Sequence, residues 1–302
     1  MENKDIKVTI DEYIEYLDVK KITKDSYKRI LYKWYDYITT LSIKYPKRND
    51  VLKYKEYLMK NLSSSTVQKS LVVLRGFYKH CKVNGYSEDI TEGVKGVKVS
   101  QTFQRQPLSL DDSRKLLNRA KRGSDGVLGK RDYAIVALLL TTGLRVVEVE
   151  RANVEDLNII DNEHVLFVMG KGRDAKDIYV KLSNEVYEII EDYLLFRNNN
   201  HDALFITHNR RFENSRLSTK RIRSIVKELL ISIGYDSKVY SVHSLRHTFA
   251  TNALNLGASI METKEALRHS DVSTTQIYVH MLETMQSDTN QKVSDALFKK
   301  KK

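Results

Sequence analysis

The chain has 302 residues, with 51 lysines and arginines, 39 acidic residues and a formal net charge of +12. This length exceeds a typical domain of about 100 to 200 residues, so we expect two domains, each with its own core. The basic excess is spread out, with 20 basic against 13 acidic residues up to position 100 and 31 against 26 beyond it. Such a distribution favours a polyanionic partner gripped from two sides, although a solubilising surface would give the same composition.

The chain carries no sign of a disulfide framework or of a membrane segment. Its single cysteine, Cys81, lies in an apolar helical run and is predicted to be a small buried hydrophobic residue. The N-terminus lacks the basic-then-apolar pattern of a signal peptide, and the apolar stretch from Ala134 to Leu140 is far too short to span a bilayer. We therefore expect a soluble, cytoplasmic protein with no membrane partner.

Residues 9 to 95 place apolar side chains at helical spacing with almost no strand signal, which predicts a bundle of amphipathic helices. Asp50 is a candidate cap for the third helix and Ser65 for the fourth. The aromatic stripes of these helices are predicted to form the core of the bundle rather than platforms for stacking nucleic-acid bases.

Helical periodicity disappears from Glu92 to Pro107, where glycines and basic residues are typical of an extended linker. We predict a helical domain over residues 1–98, a linker over 99–106 and a second domain over 107–302. Ser109 is typical of a helix cap, and Gly143 is predicted to end the buried helix that contains the apolar run.

The second domain carries a strong hairpin signal. Residues 164–169 and 177–182 are rich in β-branched and aromatic side chains, and a glycine-flanked, cationic tip with Lys171 lies between them. Helical patterns resume at 183–197, 218–233, 243–256 and 260–268. The predicted fold is therefore mainly α with a small β-sheet, in the α+β class.

Two arginines have the surroundings of an anion site. Arg145 directly follows a predicted helix end, with Glu148 three residues on to hold it, although a buried structural pair would have the same pattern. His243, Arg246 and His247 share one helix face because they are three and four residues apart. Two histidines at that spacing can ligate zinc, but an arginine between them and a serine after His243 argue against a metal site.

Two further residues are candidates for chemistry. Lys171 on its glycine-flanked tip could reach a phosphodiester oxygen, and the absence of a following Gly-Lys-Ser/Thr sequence argues against an ATP-binding loop. Tyr278, one of 18 tyrosines, follows His269 by nine residues across a polar stretch. Its phenol, with a usual pKa of about 10, must lose a proton before attacking, and nearby arginines would lower that cost.

Together these segments resemble the tyrosine recombinases of the phage integrase family, which exchange DNA strands, over roughly residues 107 to 285. The early start of the first helix leaves no room for an extra N-terminal module, which favours the simple two-domain Xer-like or Cre-like type. The resemblance implies a site-specific recombinase or integrase that works through a 3′-phosphotyrosyl intermediate. The catalytic positions implied are Arg145, Lys171, His243, Arg246, His269 and Tyr278, with Glu148 and His247 in support.

The resemblance also implies a partner and an assembly. Two basic domains would form a C-shaped clamp on double-stranded DNA that carries a specific recombination site, without metal or nucleotide cofactor. The protein would be a monomer or dimer before synapsis and a homotetramer on nucleoid DNA. An apolar stripe within residues 287–298 would dock into a neighbouring subunit as a short C-terminal helix.

One departure from the family pattern is visible, because Arg268 stands where the family usually has glycine before His269. We expect the Arg268 side chain to point outward, towards DNA or solvent. A type IB topoisomerase would use the same chemistry but religate the same strand, and a catalytically silent clamp would only bind DNA. The filled catalytic positions favour the recombinase.

Overall fold

The computed structural model describes residues 3–99, 106–170, 175–197, 199–208, 214–268, 294, 297 and 298. The chain forms two compact units, Met1–Thr102 and Phe103–Lys302. The described residues are mostly helical and include a small three-stranded sheet, which confirms the predicted α+β class. None of the helices in these ranges is both long enough and apolar enough to cross a membrane.

The first unit is a bundle whose helices are α1 (Asn3–Tyr16), α2 (Lys21–Thr40), α3 (Arg48–Asn61) and α4 (Ser64–Val83). Its core contains Tyr13, Trp34, Phe77 and Tyr78, as predicted, whereas Tyr16 of the predicted stripe is 73% exposed. Trp34 is fully buried and donates its Nε1 hydrogen to the Tyr78 hydroxyl at 3.0 Å, which satisfies the indole inside the core. Cys81 is also buried, and burial raises the pKa of its thiol to about 12, as expected for a small hydrophobic residue.

Two predicted helix caps of this unit are wrong. The N-cap of α3 is Lys47, and Asp50 lies inside the first turn, where its carboxylate accepts the Lys47 backbone N–H at 2.8 Å. Ser63 rather than Ser65 is the N-cap of α4. Several consecutive serines offer equivalent local caps, so the packing of the apolar face decides where the helix begins.

The second unit is built around one buried helix. Its helices are α5 (Leu110–Arg122), α6 (Val127–Thr142), α7 (Val146–Arg151), α8 (Asn184–Arg197), α9 (Thr219–Ser232), α10 (Val242–Asn255) and α11 (Ile260–Leu267). Residues 134–139 of α6 are apolar on every face, and α6 packs against α5, α8, α9 and α10. The predicted caps Ser109 and Gly143 are confirmed at the start of α5 and the end of α6.

The sheet of this unit consists of antiparallel strands β1 (Leu157–Ile160), β2 (Glu163–Val168) and β3 (Ile178–Lys181). The predicted hairpin is confirmed as β2 and β3, which pair Val168 with Ile178, while residues 171–174 of its tip lie outside the described ranges. The sequence analysis missed β1, which has only four residues. Asp161 and Asn162 join β1 to β2 with φ values of 51° and 64°, a turn that these two residue types tolerate.

Only a few residues of the predicted C-terminal docking helix are described. Leu297 and Phe298 are helical, and they are 74% and 81% exposed. Two large apolar side chains at this exposure bury little surface within their own chain.

Candidate active site

Arg145 stands at the start of a short helix, directly after the buried helix α6. Gly143 ends α6 with a left-handed φ of 59°, and Arg145 is the N-cap of α7. Glu148 accepts the Arg145 backbone N–H at 2.8 Å and its Nη1 hydrogen at 3.0 Å. Glu148 therefore contacts Arg145, as the spacing of three residues suggested, and one carboxylate binds both the backbone and the side chain of the arginine.

Gly143 permits a close approach of two other segments to this turn. A Cβ atom at Gly143 would lie 2.6 Å from Cδ1 of Phe249 in α10 and 2.8 Å from Cδ2 of Leu267 at the end of α11. The left-handed backbone independently favours glycine here. The turn that carries Arg145 can therefore pack directly against α10 and the end of α11.

We expect Gly143→Ala to destabilise the second unit by at least about 2 kcal/mol, because it adds both left-handed strain and steric overlap. Urea unfolding measures the loss. Gly234→Ala is the matched control, since Gly234 also has a positive φ of 93°, but apart from its chain neighbours no heavy atom of the described residues lies within 4 Å of a Cβ built there. Equal losses of unfolding free energy in the two variants would mean that Phe249 and Leu267 do not prevent a side chain at position 143.

Arg246 joins three segments that are distant in the sequence. Its side chain lies in α10 and is buried, with the residue only 7% exposed. Nη1 donates to the Gly143 carbonyl oxygen at 2.5 Å, and Nη2 donates to the Leu267 carbonyl oxygen at 2.5 Å. One guanidinium thus binds the turn before Arg145 to the end of α11, and it brings the predicted arginine positions into one neighbourhood.

The expectation that Arg268 points outward is wrong. Its side chain is only 8% exposed, and Nη2 donates to Glu148 Oε2 at 3.2 Å. The reason is electrostatic, because the fully buried Glu148 carboxylate attracts compensating charge from both sides. Arg268 ends α11 with a left-handed φ of 54°, the conformation for which glycine is usually selected.

The charges at this place do not balance. Burial lowers the pKa of the Arg268 guanidinium, and the Glu148 carboxylate opposes that shift, while Arg145 adds to it. Arginine nevertheless stays protonated at neutral pH. Arg145, Arg246 and Arg268 therefore contribute three positive charges against the single negative charge of Glu148.

The two histidines of the motif lie on the same helix as Arg246. His243 is the second residue of α10 and is exposed, and His247 follows one turn later and is partly buried. Among the residues that the structure describes, no group of three or more His, Cys, Asp or Glu side chains is placed to hold a metal ion.

The other predicted catalytic residues, Lys171, His269 and Tyr278, lie outside the described ranges. The structure therefore assembles Arg145, Glu148 and Arg246 and adds Arg268, which sequence reasoning placed outside the site. The sequence places Arg268 at a predicted helix end, where a left-handed residue is common, but it carries no signal that the side chain turns inward.

This arrangement suits the binding of an oxyanion. A guanidinium group is planar and permanently charged, and its paired N–H groups match the oxygens of a phosphate. The fold and the site together define a mainly helical two-unit protein with a cluster of arginines where α7, α10 and the end of α11 meet.

Comparison with known proteins identifies the class more closely. Residues 106–285 match the phage integrase family, and residues 10–85 match the N-terminal SAM-like domain of phage integrases. The chain belongs to the phage integrase family, which confirms the resemblance noted from its motifs.

Its relatives include named recombinases. The chain is 35% identical to the tyrosine recombinase XerC of Caldanaerobacter subterraneus subsp. tengcongensis, over 77% of this chain and 64% of that protein. It is 30% identical to the tyrosine recombinase XerD of Listeria innocua serovar 6a, over 90% of this chain and 93% of that protein.

A solved structure shares the fold. The crystal structure of the XerH site-specific recombinase bound to a palindromic difH substrate superposes with a TM-score of 0.72 at 20% sequence identity. The similarity covers 87% of this chain and 79% of that one. The two proteins therefore share the same fold.

Proposed function

We propose that this protein is a site-specific DNA recombinase that cleaves and rejoins strands through a 3′-phosphotyrosyl intermediate. The observation that carries the proposal is the pair of hydrogen bonds from Arg246 to Gly143 and Leu267, which gathers the arginines of separate motifs at one place. A phosphodiester gains negative charge on its non-bridging oxygens in the transition state, and a fixed cluster of guanidinium groups stabilises that charge. Membership of the phage integrase family supports the same reading.

In the proposed cleavage step the Tyr278 phenolate attacks a backbone phosphate. The bond from its oxygen to phosphorus forms as the bond to the 5′ oxygen breaks, and Lys171 supplies the proton that this oxygen takes. A 5′ hydroxyl of a partner strand later attacks the phosphotyrosine and releases the tyrosine. Because the phosphotyrosyl bond conserves the energy of the phosphodiester, the cycle needs neither a metal ion nor a nucleotide cofactor.

The remaining residues stabilise charge and transfer protons in this proposal. Arg145, Arg246 and His269 would bind the non-bridging oxygens, and His243 would assist proton transfer. Glu148 would hold Arg145, as its two hydrogen bonds to that residue support. His247 lies one helical turn after His243, which is consistent with a supporting contact to the phosphate.

The proposed partner is double-stranded DNA that carries a specific recombination site. Residues 1–98 would form the core-binding domain and residues 107–302 the catalytic domain, with 99–106 as the linker. Both parts carry excess positive charge, which supports contact with the phosphate backbone by each. Four subunits would assemble on two DNA sites from monomers or dimers.

A covalent trap tests this function directly. The protein is incubated with a pool of nicked duplexes whose central region is randomised, and complexes that resist denaturing detergent are recovered and sequenced. We expect a discrete set of sequences with the protein attached to a 3′ phosphate. Intact duplexes of a recovered sequence then distinguish the two chemistries, since a recombinase joins strands of different duplexes and a topoisomerase rejoins the original strand. Recovery of no covalent complex contradicts the proposal.

Lys171→Ala is expected to slow cleavage of an ordinary phosphodiester, because the departing 5′ oxygen then lacks its proton donor. A substrate with sulfur at the 5′ bridging position should restore the rate, since a thiolate leaves without a proton. Single-turnover cleavage of the two substrates measures the rescue, and Lys181→Ala on the adjacent strand β3 is the control. Equal defects on both substrates would remove Lys171 from this role.

Truncation after Asp288 is expected to leave a folded protein that binds DNA but does not form tetramers. The exposure of Leu297 and Phe298 supports a docking role, because burying each of them against a neighbour would contribute about 1.5 to 3 kcal/mol. Analytical ultracentrifugation on paired target sites measures assembly. Truncation after Phe298 removes only the terminal lysines and serves as control. Tetramers that form equally well from both truncated proteins would contradict the docking role.

A further inference from the structure

The Glu148 carboxylate forms ion pairs with two arginines, Arg145 and Arg268. Its Oε1 accepts from Arg145 Nη1 at 3.0 Å, while its Oε2 accepts the Arg145 backbone N–H at 2.8 Å and Arg268 Nη2 at 3.2 Å. Glu148 is fully buried, and the Arg268 side chain is nearly so. This three-way contact joins the end of α11 to the start of α7.

The fold itself does not require an arginine at position 268. The left-handed φ of 54° there suits glycine better than any residue with a side chain. The guanidinium is desolvated, and its Nε is buried with no hydrogen-bond partner among the described residues. A side chain held at such a cost, with an unsatisfied donor beside the anion site, is expected to serve the site and not the stability of the fold.

The shared carboxylate changes the charge that Arg145 presents. With glycine at position 268, the negative charge of Glu148 would be directed at Arg145 alone, and the pair would be close to neutral. Arg268 pairs with the same carboxylate, so Arg145, Glu148 and Arg268 together carry a net positive charge. Arg145 remains partly exposed, so this excess charge is available to a bound anion.

We propose that Arg268 is a positioning residue, which binds Oε2 of the Glu148 carboxylate, the oxygen that does not contact the Arg145 guanidinium, and so strengthens the affinity of that guanidinium for a phosphate group. A role of Arg268 in strand cleavage rests on the proposed function. The effect of Arg268 on anion binding does not depend on that function.

The first test compares the full-length wild type with Arg268→Gly and Arg268→Lys. Inorganic phosphate is titrated into each protein at low salt, and affinity is measured by calorimetry and by the rise in Tm. We expect Arg268→Gly to weaken phosphate binding about tenfold, the effect of losing one charge-assisted interaction, while its Tm without phosphate equals or exceeds that of the wild type. Arg268→Lys keeps the charge and should recover most of the affinity.

A double-mutant cycle with Glu148→Gln then tests whether Arg268 acts through the carboxylate. The glutamine keeps an acceptor for the Arg145 backbone N–H but has no charge to share. In the Glu148→Gln background, Arg268→Gly should weaken phosphate binding by about twofold or less, because the effects of substitutions at interacting residues are not additive. A tenfold loss in both backgrounds would mean that Arg268 acts on the anion directly, and it would overturn the proposal.

Three other outcomes also overturn it. The first is a wild type that does not bind phosphate, and the second is an Arg268→Gly variant that binds phosphate as tightly as the wild type. The third is a lower Tm of Arg268→Gly with a parallel loss of affinity, which would assign Arg268 to the fold. Cleavage of a recovered target duplex extends the test, with about tenfold slower single-turnover cleavage and unchanged DNA affinity expected for Arg268→Gly. If the wild type forms no covalent complex at all, the proposed function fails while the phosphate result stands.

Discussion

Tyr278→Phe is expected to abolish the covalent protein–DNA complex and to leave DNA affinity unchanged, because the substitution removes only the nucleophilic oxygen. Denaturing gels with a nicked target duplex measure the complex, and gel mobility under native conditions measures binding. We expect no detectable covalent product, which makes this the largest effect of any substitution considered for this protein.

Three described tyrosines of the second unit are less suited to act as the nucleophile. Burial raises the pKa of Tyr133 and Tyr193, and a hydrogen bond to Asp112 raises that of Tyr235 to about 12, so each of these phenols ionises less readily. Tyr179→Phe, on the partly exposed strand β3, is the matched control and should form the covalent complex normally. A complex that persists in Tyr278→Phe would assign the nucleophile to another residue.

Arg246→Ala should reduce cleavage by at least about 10² to 10³-fold, as for the loss of one transition-state donor. The structure adds a second consequence. The Gly143 and Leu267 carbonyls would each lose a buried donor, and the free energy of unfolding should fall by about 1 to 3 kcal/mol for each group left unsatisfied. Single-turnover cleavage and urea unfolding measure the two effects separately.

Two further variants show whether the effect of Arg246→Ala is specific to this guanidinium group. Arg246→Lys keeps the charge, but one ammonium group cannot match the fork that spans both carbonyls, so cleavage should remain strongly impaired. Arg223→Ala in α9 removes an exposed arginine from the same unit and should behave as the wild type. Cleavage by Arg246→Ala at the wild-type rate would contradict the assigned role of the buried guanidinium.

Much of the fold could be predicted because the relevant signals are local. The apolar periodicity around Trp34 and the apolar run of α6 each specify a buried helix, and the β-branched runs on either side of Lys171 specify the hairpin. Strand β1 was missed because its residues, Leu-Asn-Ile-Ile, neither alternate in polarity nor include an aromatic side chain. The caps Asp50 and Ser65 were misplaced because α3 and α4 begin at N-caps, Lys47 and Ser63, that make no side-chain capping hydrogen bond.

The candidate site also contains contacts that the sequence predicts and contacts that it does not. The link between Arg145 and Glu148 was predictable because three residues of spacing place both at the start of one helix. The contacts of Arg246 with Gly143 and Leu267 were not, because they depend on how α10 packs against α6 and α11. No local sequence pattern specifies contacts between helices that are far apart in the chain.

The sequence alone determined the family, the mainly helical class and the residue types able to bind and cleave a phosphodiester, because motifs and periodicity are properties of neighbouring residues. Only the tertiary structure decided that Arg268 lies inside the site. In the sequence it is an arginine at a helix end, where solvent is the default environment. The fully buried Glu148 carboxylate in α7 already pairs with Arg145, and the approach of α11 brings Arg268 to it as a second partner.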